Sequence, residues 1–147
     1  MAGAVYHTTA DAIFETNQFK SYRWNDGSFN LGPTWVQREP DGKLLVGGNF
    51  TVYYPTPASF TNVNRLVRLN VDGTLDGIFN VGLGATNTVE GQSKSLVESV
   101  IHLPNGQYLV AGTFNRFNGQ ARTNIVRLNN DGSLDNTYAP YFDGAYC

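Results

Sequence analysis

The sequence predicts an all-β fold made from two copies of one repeating unit, and three observations support this prediction. Residues 40–51 recur as residues 104–115, and residues 66–76 recur as residues 125–135. Each phrase places a glycine turn between short stretches rich in apolar residues, which is typical of β-hairpins. No window keeps apolar residues at helical spacing for three turns. A period of about 60 residues indicates a repeat architecture, whose units bury their apolar faces by stacking on neighbours.

The first phrase predicts a hairpin in each unit. The Pro-Asp-Gly turn at residues 40–42 lies between residues 35–39 and residues 43–46. Its glycine adopts a positive φ at little steric cost. The second copy carries Asn105-Gly106 at the same place, and Asn-Gly is among the strongest hairpin signals in a sequence.

The second phrase predicts another hairpin, so that each unit has four short strands. Residues 66–69 precede an Asp-Gly turn that leads into residues 74–76, and residues 125–135 repeat this pattern. A weaker third copy lies upstream at residues 22–30, where Asp-Gly aligns with the later Asp-Gly turns. This copy is an orphan hairpin without a matching first phrase.

These elements divide the chain into three parts. We expect an N-terminal arm at residues 1–21, a repeat domain at residues 22–139 and a C-terminal tail at residues 140–147, with the arm and the tail ordering on a partner. The orphan hairpin at 22–30 is followed by repeat one at 31–80 and repeat two at 81–139. One short helix is a possibility at residues 8–17.

Composition argues against several classes of protein. The formal net charge is -2, from 10 basic and 12 acidic side chains spread along the chain, so no charged block predicts binding to nucleic acid or to a membrane. The N-terminus lacks the pattern of a secretory signal, and no apolar run approaches the ~20 residues that span a bilayer. We therefore expect a soluble protein made in the cytoplasm.

The single cysteine, Cys147, cannot form a disulfide or a cysteine-based zinc site within one chain. A free terminal thiol and an intermolecular disulfide are the two alternatives.

Neither a metal site nor a catalytic site is predicted. The Asn-x-Asp-Gly-x-x-Asp pattern places oxygen atoms around a turn, but a calcium loop of the EF-hand type needs more carboxylates and a terminal glutamate. The aspartates are better explained as turn residues, with Asp76 and Asp135 capping nearby backbone amides. The histidines are His7 and His102, and His102 occupies the position of Arg38 in the other copy, which indicates a surface-facing position. We expect no enzyme activity and no cofactor.

The copies differ most in their connections, where a repeat protein usually places its contacts. The first copy contains an insertion around Tyr53 and Tyr54, and the second follows a long polar segment at residues 86–94. The two tyrosines are expected either to stack on a sugar ring or partner, or to cover their own repeat. The candidate partner or glycan contacts are Tyr53, Tyr54, Asn87, Glu90 and Lys94.

Four aromatic residues recur at matched places in the two copies and are therefore expected to pack in the core. They are Phe50 with Phe114, and Phe79 with Tyr138.

The combined pattern resembles a known family of repeats. The Pro-Asp/Asn-Gly turn is followed by a hydrophobic strand that ends in Gly-Gly-Asn-Phe at residues 47–50 or Ala-Gly-Thr-Phe at residues 111–114, and then by Arg-Leu-Asn-x-Asp-Gly-Thr/Ser-Leu-Asp. This order resembles the delta-60 repeat, a β-propeller-like domain of unknown function, over about residues 22–139. The resemblance implies two four-stranded propeller blades, and a small β-sandwich is the alternative. Members of that family occur in bacteriophage virion proteins and in large bacterial surface or secreted proteins, and the family implies no catalytic residues.

The number of repeats turns this resemblance into a prediction about function. A propeller typically needs four to eight blades to close, so two blades and a hairpin form an incomplete ring. We expect a homo-oligomer, for example three chains that supply six blades, or docking on other virion proteins.

The leading prediction is a non-enzymatic structural component of a bacteriophage particle, because the sequence shows neither a secretory signal nor an anchoring segment. It would be a tail, baseplate or fibre-attachment accessory protein that bridges neighbouring subunits, located in the virion after assembly in the host cytoplasm. The alternatives are a carbohydrate- or receptor-binding module, a capsid decoration protein, an extracellular location, and an enzyme completed by oligomerisation.

Overall fold

The computed structural model describes residues 19–20, 32–56, 58–88 and 95–140. Every regular element in these ranges is a β-strand, which confirms the predicted all-β class. No helix in the described part of the chain is long and apolar enough to cross a membrane. The strands are β1 (Phe19–Lys20), β2 (Pro33–Arg38), β3 (Leu44–Gly48), β4 (Val52–Thr56), β5 (Ser59–Asn62), β6 (Leu66–Leu69), β7 (Ala85–Thr86), β8 (Leu96–His102), β9 (Tyr108–Thr113), β10 (Arg116–Phe117), β11 (Gln120–Ala121) and β12 (Ile125–Leu128).

Two antiparallel sheets form the blades that the repeated phrases predict. Blade 1 has the strand order β2-β3-β6, and blade 2 has the matching order β8-β9-β12. A single-residue bridge extends each blade at the place of the predicted fourth strand, from Leu69 to Leu75 and from Leu128 to Leu134. Each blade therefore has three strands, with one bridged residue pair at the place of the predicted fourth strand.

The predicted turns hold these sheets together. The glycines of the four turns have φ values of 89° at Gly42, 84° at Gly73, 83° at Gly106 and 84° at Gly132. This left-handed region favours glycine because it has no Cβ. An aspartate or asparagine also closes each turn by accepting a hydrogen bond from the backbone N–H two residues later.

A second layer of strands was not predicted from the sequence. The connection between β3 and β6 folds into the hairpin β4–β5, and β1 pairs with β4. In the second copy β10 and β11 form the same hairpin, and β7 pairs with β10. Each structural unit therefore begins with a short strand that precedes its blade, upstream of the first repeated phrase.

The blades pack against each other around a shared apolar core, and the ring remains open. The core contains residues of both blades and of the segment that joins them, with Trp35 packed at its edge. Its buried members are Leu45, Leu66, Phe79, Val81, Ala85, Val97, Val100, Tyr108, Val110, Phe114, Phe117, Val126, Leu128 and Leu134.

A second apolar cluster belongs to blade 1, and its buried members are Val46, Phe50, Tyr53, Val63, Val67 and Leu69. The predicted core roles of Phe50, Phe79 and Phe114 are confirmed, since all three are buried. Tyr138 is only half-buried.

The close approach of the two blades predicts a strong effect at Gly47. A Cβ atom at this position would lie 2.8 Å from Val97 Cγ1, which is closer than van der Waals contact allows. We expect Gly47→Ala to lower the free energy of unfolding by about 1–3 kcal/mol in urea denaturation. Gly77→Ala is the matched control, because an added Cβ there meets nothing within 4 Å. Equal stability of Gly47→Ala and the wild type would contradict the packing described.

Several sequence predictions fall outside the described residues. These are the helix at 8–17, the orphan hairpin at 22–30, almost all of the arm at 1–21, the tail beyond residue 140 with Cys147, and the candidate contacts Glu90 and Lys94.

Candidate functional site

The structure corrects the prediction that Tyr53 contacts a glycan or a partner. Tyr53 is fully buried in the core of blade 1, and its hydroxyl donates a hydrogen bond to the Gly73 carbonyl at 2.5 Å. The β4–β5 hairpin folds back over its own blade, as the alternative interpretation of this insertion proposed. Burial raises the pKa of Tyr53, with a further contribution from the charge of Asp72.

Tyr54 lies on the other side of the same strand and is half-buried. Its ring centroid is 5.8 Å from that of Phe60 on β5, and the Phe60 side chain is 57% exposed. Sequence reasoning missed Phe60 because the sequence pattern predicts a loop where the structure has the β4–β5 hairpin. Asn87 is half-buried just after β7.

A polar cluster links the two blades, and sequence reasoning did not assemble it. We call it the interblade cluster: Glu39, Lys43, Arg68, Asp76, Tyr108 and Asn130. Within blade 1, Arg68 Nε lies 2.7 Å and Lys43 Nζ 2.8 Å from Asp76 Oδ2. The other carboxylate oxygen of Asp76 accepts the Ile78 backbone N–H at 3.1 Å, which confirms the predicted capping role.

The Arg68 guanidinium extends this cluster across to blade 2. Its NH1 group donates to the Tyr108 hydroxyl at 3.1 Å and to the backbone carbonyl and side-chain oxygen of Asn130 at 3.0 and 3.1 Å. The Tyr108 hydroxyl in turn donates to Glu39 at 2.5 Å. Arg68 is 6% exposed and Glu39 7%. A buried network with so many paired groups constrains how blade 2 sits on blade 1.

Two members of this cluster, Tyr108 and Asp76, each stay in one protonation state near neutral pH. Burial and the bond to Glu39 raise the pKa of Tyr108 to about 12, against the opposing effect of Arg68. Burial would raise the pKa of Asp76, but hydrogen bonds from Lys43, the Ile78 N–H and Arg68 outweigh it and lower that pKa to about 2. At neutral pH Tyr108 is therefore protonated and Asp76 is ionised, so neither group is suited to exchange protons with a substrate.

A small cleft of about 220 Å³ opens beside the cluster and contains His102. His102 is 30% exposed, its ring stacks on Tyr108 with centroids 4.7 Å apart, and its Nδ1 lies 3.8 Å from Glu39 Oε1. The predicted surface-facing position is thus partly covered by the contact between blades. Among the described residues, no group of three His, Cys, Asp or Glu side chains could hold a metal ion. Besides Glu39, His102 and Tyr108, the cleft is lined by Pro40, Asp41, Arg68 and Asn130.

A second arginine also links the repeats. Arg65 donates from Nε to the Ser95 carbonyl at 3.0 Å and from NH1 to the Ala85 carbonyl at 2.9 Å. Its backbone has a φ of 67°, which is unusual for a long side chain. The matched residue in repeat two, Asn124, has a φ of 62°, so this turn recurs while its side-chain link does not.

Blade 2 repeats the ion pair of the interblade cluster, but among the described residues it lacks the hydrogen bonds to another blade. Arg127 Nε lies 2.8 Å from Asp135 Oδ2, and Gln107 donates to the same oxygen at 2.9 Å. Leu103 stands at the position of Glu39. In the described part of the chain Arg127 NH1 has no acceptor, and its side chain is 27% exposed, compared with 6% for Arg68.

Each blade has two faces, which we name from the contact between the blades. The forward face is the one that contacts blade 2 in blade 1, and the rear face is the opposite one, which contacts blade 1 in blade 2. The forward face of blade 1 contacts blade 2, and its residues Leu45 and Leu66 are 2% and 1% exposed. The matched residues on the forward face of blade 2, Leu109 and Ile125, are only half-buried.

The rear faces show the same difference. On the rear face of blade 2, Val100 is 3% exposed and Tyr108 is 1% exposed. On the rear face of blade 1 the matched Val36 is 43% exposed and the matched Leu44 is half-buried. Both ends of the two-blade stack therefore expose apolar residues whose counterparts inside the stack are buried.

These features define the class of this protein as an all-β stack of propeller-like blades in an open arrangement. The family model described as a domain of unknown function (DUF5122) beta-propeller matches residues 39–79 and 103–138. These ranges cover just over half of the chain, and the chain belongs to that family. The predicted membership in a β-propeller-like domain of unknown function is confirmed. No curated protein and no solved structure matched the chain.

Proposed function

We propose that this protein is a non-enzymatic structural module that holds neighbouring subunits together in a larger assembly. The observation that carries this proposal is the difference between the inner and outer faces of the stack. Leu45 and Leu66 are buried, whereas the matched Leu109 and Ile125 remain half-exposed on the forward face of blade 2. Covering such apolar surface is favourable, which supports a protein partner at this face.

The chemistry of the interblade cluster supports a structural role rather than a catalytic one. The groups of Arg68, Asp76 and Tyr108 are paired with one another and buried, and Asp76 and Tyr108 remain in one protonation state near neutral pH. Such a cluster stabilises one arrangement of the blades. A rigid stack of this kind is suited to present its outer faces and hairpins to neighbouring subunits.

The setting that we propose is a bacteriophage particle, in the tail, baseplate or fibre-attachment region. This setting is supported by the resemblance of both repeated phrases to delta-60 repeats, which occur in virion proteins. Purified particles of the phage that encodes the chain should contain it at a fixed ratio to the main tail protein by quantitative mass spectrometry. Immunogold labelling should place it at one end of the tail. Recovery only from the unassembled fraction of the lysate would refute the virion setting.

The aromatic pair on the β4–β5 hairpin favours a second function, namely binding of a carbohydrate. Phe60 is exposed, its ring centroid lies 5.8 Å from that of the half-buried Tyr54, and an exposed aromatic ring is suited to stack on the apolar face of a sugar. We expect Phe60→Ala to lower affinity at least about tenfold for any glycan that the wild type binds on an array. Ile78→Ala is the control, since Ile78 is 72% exposed and lies outside this hairpin. Unchanged binding by Phe60→Ala, or no binding by the wild type, would exclude this function.

A further inference from the structure

We infer that copies of this chain associate head to tail, with the rear face of blade 1 of one copy seated on the forward face of blade 2 of the next. The inference rests on the proposed structural function and names the partner as a second copy of this chain. We expect each residue at the contact between copies to take the place of its matched residue at the contact between the two blades of one chain.

One pair of facing positions changes character between the two contacts. Inside the chain, Glu39 on the forward side accepts a hydrogen bond from Tyr108 on the rear side, and both residues are buried. The position that matches Glu39 on blade 2 is Leu103, and the position that matches Tyr108 on blade 1 is Leu44. Contact between copies therefore pairs Leu103 with Leu44, so both members of the pair change from polar to apolar together.

Contacts that place a polar residue opposite an apolar one are disfavoured by the cost of burying an unpaired polar group. A glutamate facing Leu44, or a tyrosine hydroxyl facing Leu103, would bury a polar group without its partner. The internal contact avoids this with two polar residues, and the contact between copies avoids it with two leucines. This complementarity favours a second copy over an unrelated blade that carries a tyrosine at the same place.

Three apolar residues around this pair fit the same arrangement, and the exposed Arg38 stands at the position that His102 has at the internal contact. Leu109 and Ile125 are half-buried on the forward face of blade 2, and Val36 is 43% exposed on the rear face of blade 1. Arg127 keeps its bonds to Asp135 and Thr137 within its own blade. At the internal contact one acceptor of Arg68 is a backbone carbonyl, and Val71 supplies the matched carbonyl in a second copy.

A face-to-face dimer is the alternative arrangement, and it would separate Leu103 from Leu44. Two forward faces of blade 2 related by a two-fold axis would bring two Arg127 side chains into one interface. A head-to-tail contact joins different faces, so it either closes into a ring or continues as a filament. Three copies in a ring would bring together six of the blades described above, which lies within the usual range for a closed propeller.

The first test measures mass by sedimentation velocity at tens of micromolar. We expect the wild type to be larger than its 16.1 kDa monomer and Leu103→Glu to be monomeric. Adding Leu44→Tyr to Leu103→Glu recreates the pair found at Glu39 and Tyr108, and we expect it to restore the larger species. Leu83→Glu, at a residue that is 63% exposed and lies on neither face, should leave the mass unchanged. A monomeric wild type, or an unchanged mass for Leu103→Glu, would overturn the inference.

A second test remains valid if Leu103→Glu fails to fold. Leu103→Cys and Leu44→Cys are prepared separately in a Cys147→Ser background and treated with a short bismaleimide crosslinker. A covalent dimer should form in the mixture and not with either protein alone. A dimer from Leu103→Cys alone would indicate a face-to-face contact and would contradict the head-to-tail arrangement, as would the absence of any crosslink.

These results can be separated from those that test the proposed function. A monomeric protein that is nevertheless present in particles would refute self-association and leave the virion role standing. A head-to-tail oligomer that is absent from particles would support the inference and refute the virion role.

Discussion

Replacing Arg68 with alanine should destabilise this protein by about 3–5 kcal/mol in urea denaturation at neutral pH, the largest effect expected of any substitution described. Arg68 is 6% exposed and donates to Asp76, Tyr108 and Asn130. Its removal leaves the buried carboxylates of Glu39 and Asp76 with fewer partners. The substitution should also separate the blades, which is detectable as a lower cooperativity of unfolding.

The repeated structure offers a matched control for this prediction. Arg127 occupies the same place in blade 2 and pairs with Asp135 at 2.8 Å, but it is 27% exposed and makes no hydrogen bond to another blade among the described residues. We expect Arg127→Ala to cost about 1 kcal/mol or less. Equal losses for the two variants would show that the contact across the blades contributes little.

Asp76→Asn should destabilise the protein by about 2–3 kcal/mol at neutral pH and weaken its sensitivity to acid. The side chain is 5% exposed and accepts bonds from Lys43 and Arg68, so a neutral amide leaves two cationic groups less well paired. Asp41→Asn is the control, because Asp41 is 59% exposed and lies 4.0 Å from Lys43.

The acid sensitivity follows from the pKa of Asp76. Burial opposes ionisation, but the hydrogen bonds from Lys43, the Ile78 N–H and Arg68 lower the pKa from 3.8 to about 2 on folding. Its stabilisation, about 1–2 kcal/mol after allowance for solvent, is therefore present above about pH 4 and is lost as the pH falls towards 2. Between these values stability should fall less steeply for Asp76→Asn than for the wild type. Parallel curves would contradict the assignment.

Acid sensitivity should remain in the variant because other carboxyls contribute in the same direction. Hydrogen bonds from Thr74 lower the pKa of Asp72, and hydrogen bonds from Ser133 lower that of Asp131. Hydrogen bonds from Thr137 are the largest cause of the lowered pKa of Asp135. These aspartates are retained in Asp76→Asn.

The hairpin that follows the middle strand of each blade, β4–β5 or β10–β11, shows where sequence reasoning was insufficient. The strands β10 and β11 have two residues each, too few to show an alternating pattern. Their pairing with β7 depends on a segment about thirty residues away in the chain. The sequence left open whether Tyr53 would contact a partner or cover its own repeat, and the burial of Tyr53 and exposure of Phe60 depend on how the β4–β5 hairpin packs onto blade 1.

The sequence by itself determined the features that depend on neighbouring residues. The Asp-Gly and Asn-Gly turns specify hairpins because only a few residues readily adopt the required backbone angles, and the capping role of Asp76 involves an N–H two residues away. The two repeated phrases also established the strand order of both blades and the membership in the family.

Only the tertiary structure decided which side chains meet between the blades. Glu39 and Tyr108 lie far apart in the sequence, and neither belongs to a motif that predicts their hydrogen bond. Matched residues also differ in burial, as Leu45 and Leu109 do, because one blade face has a neighbouring blade among the described residues and the other does not. Repetition of the sequence gives both units the same hairpins, whereas the packing of one blade on the other gives matched residues on their faces different degrees of burial.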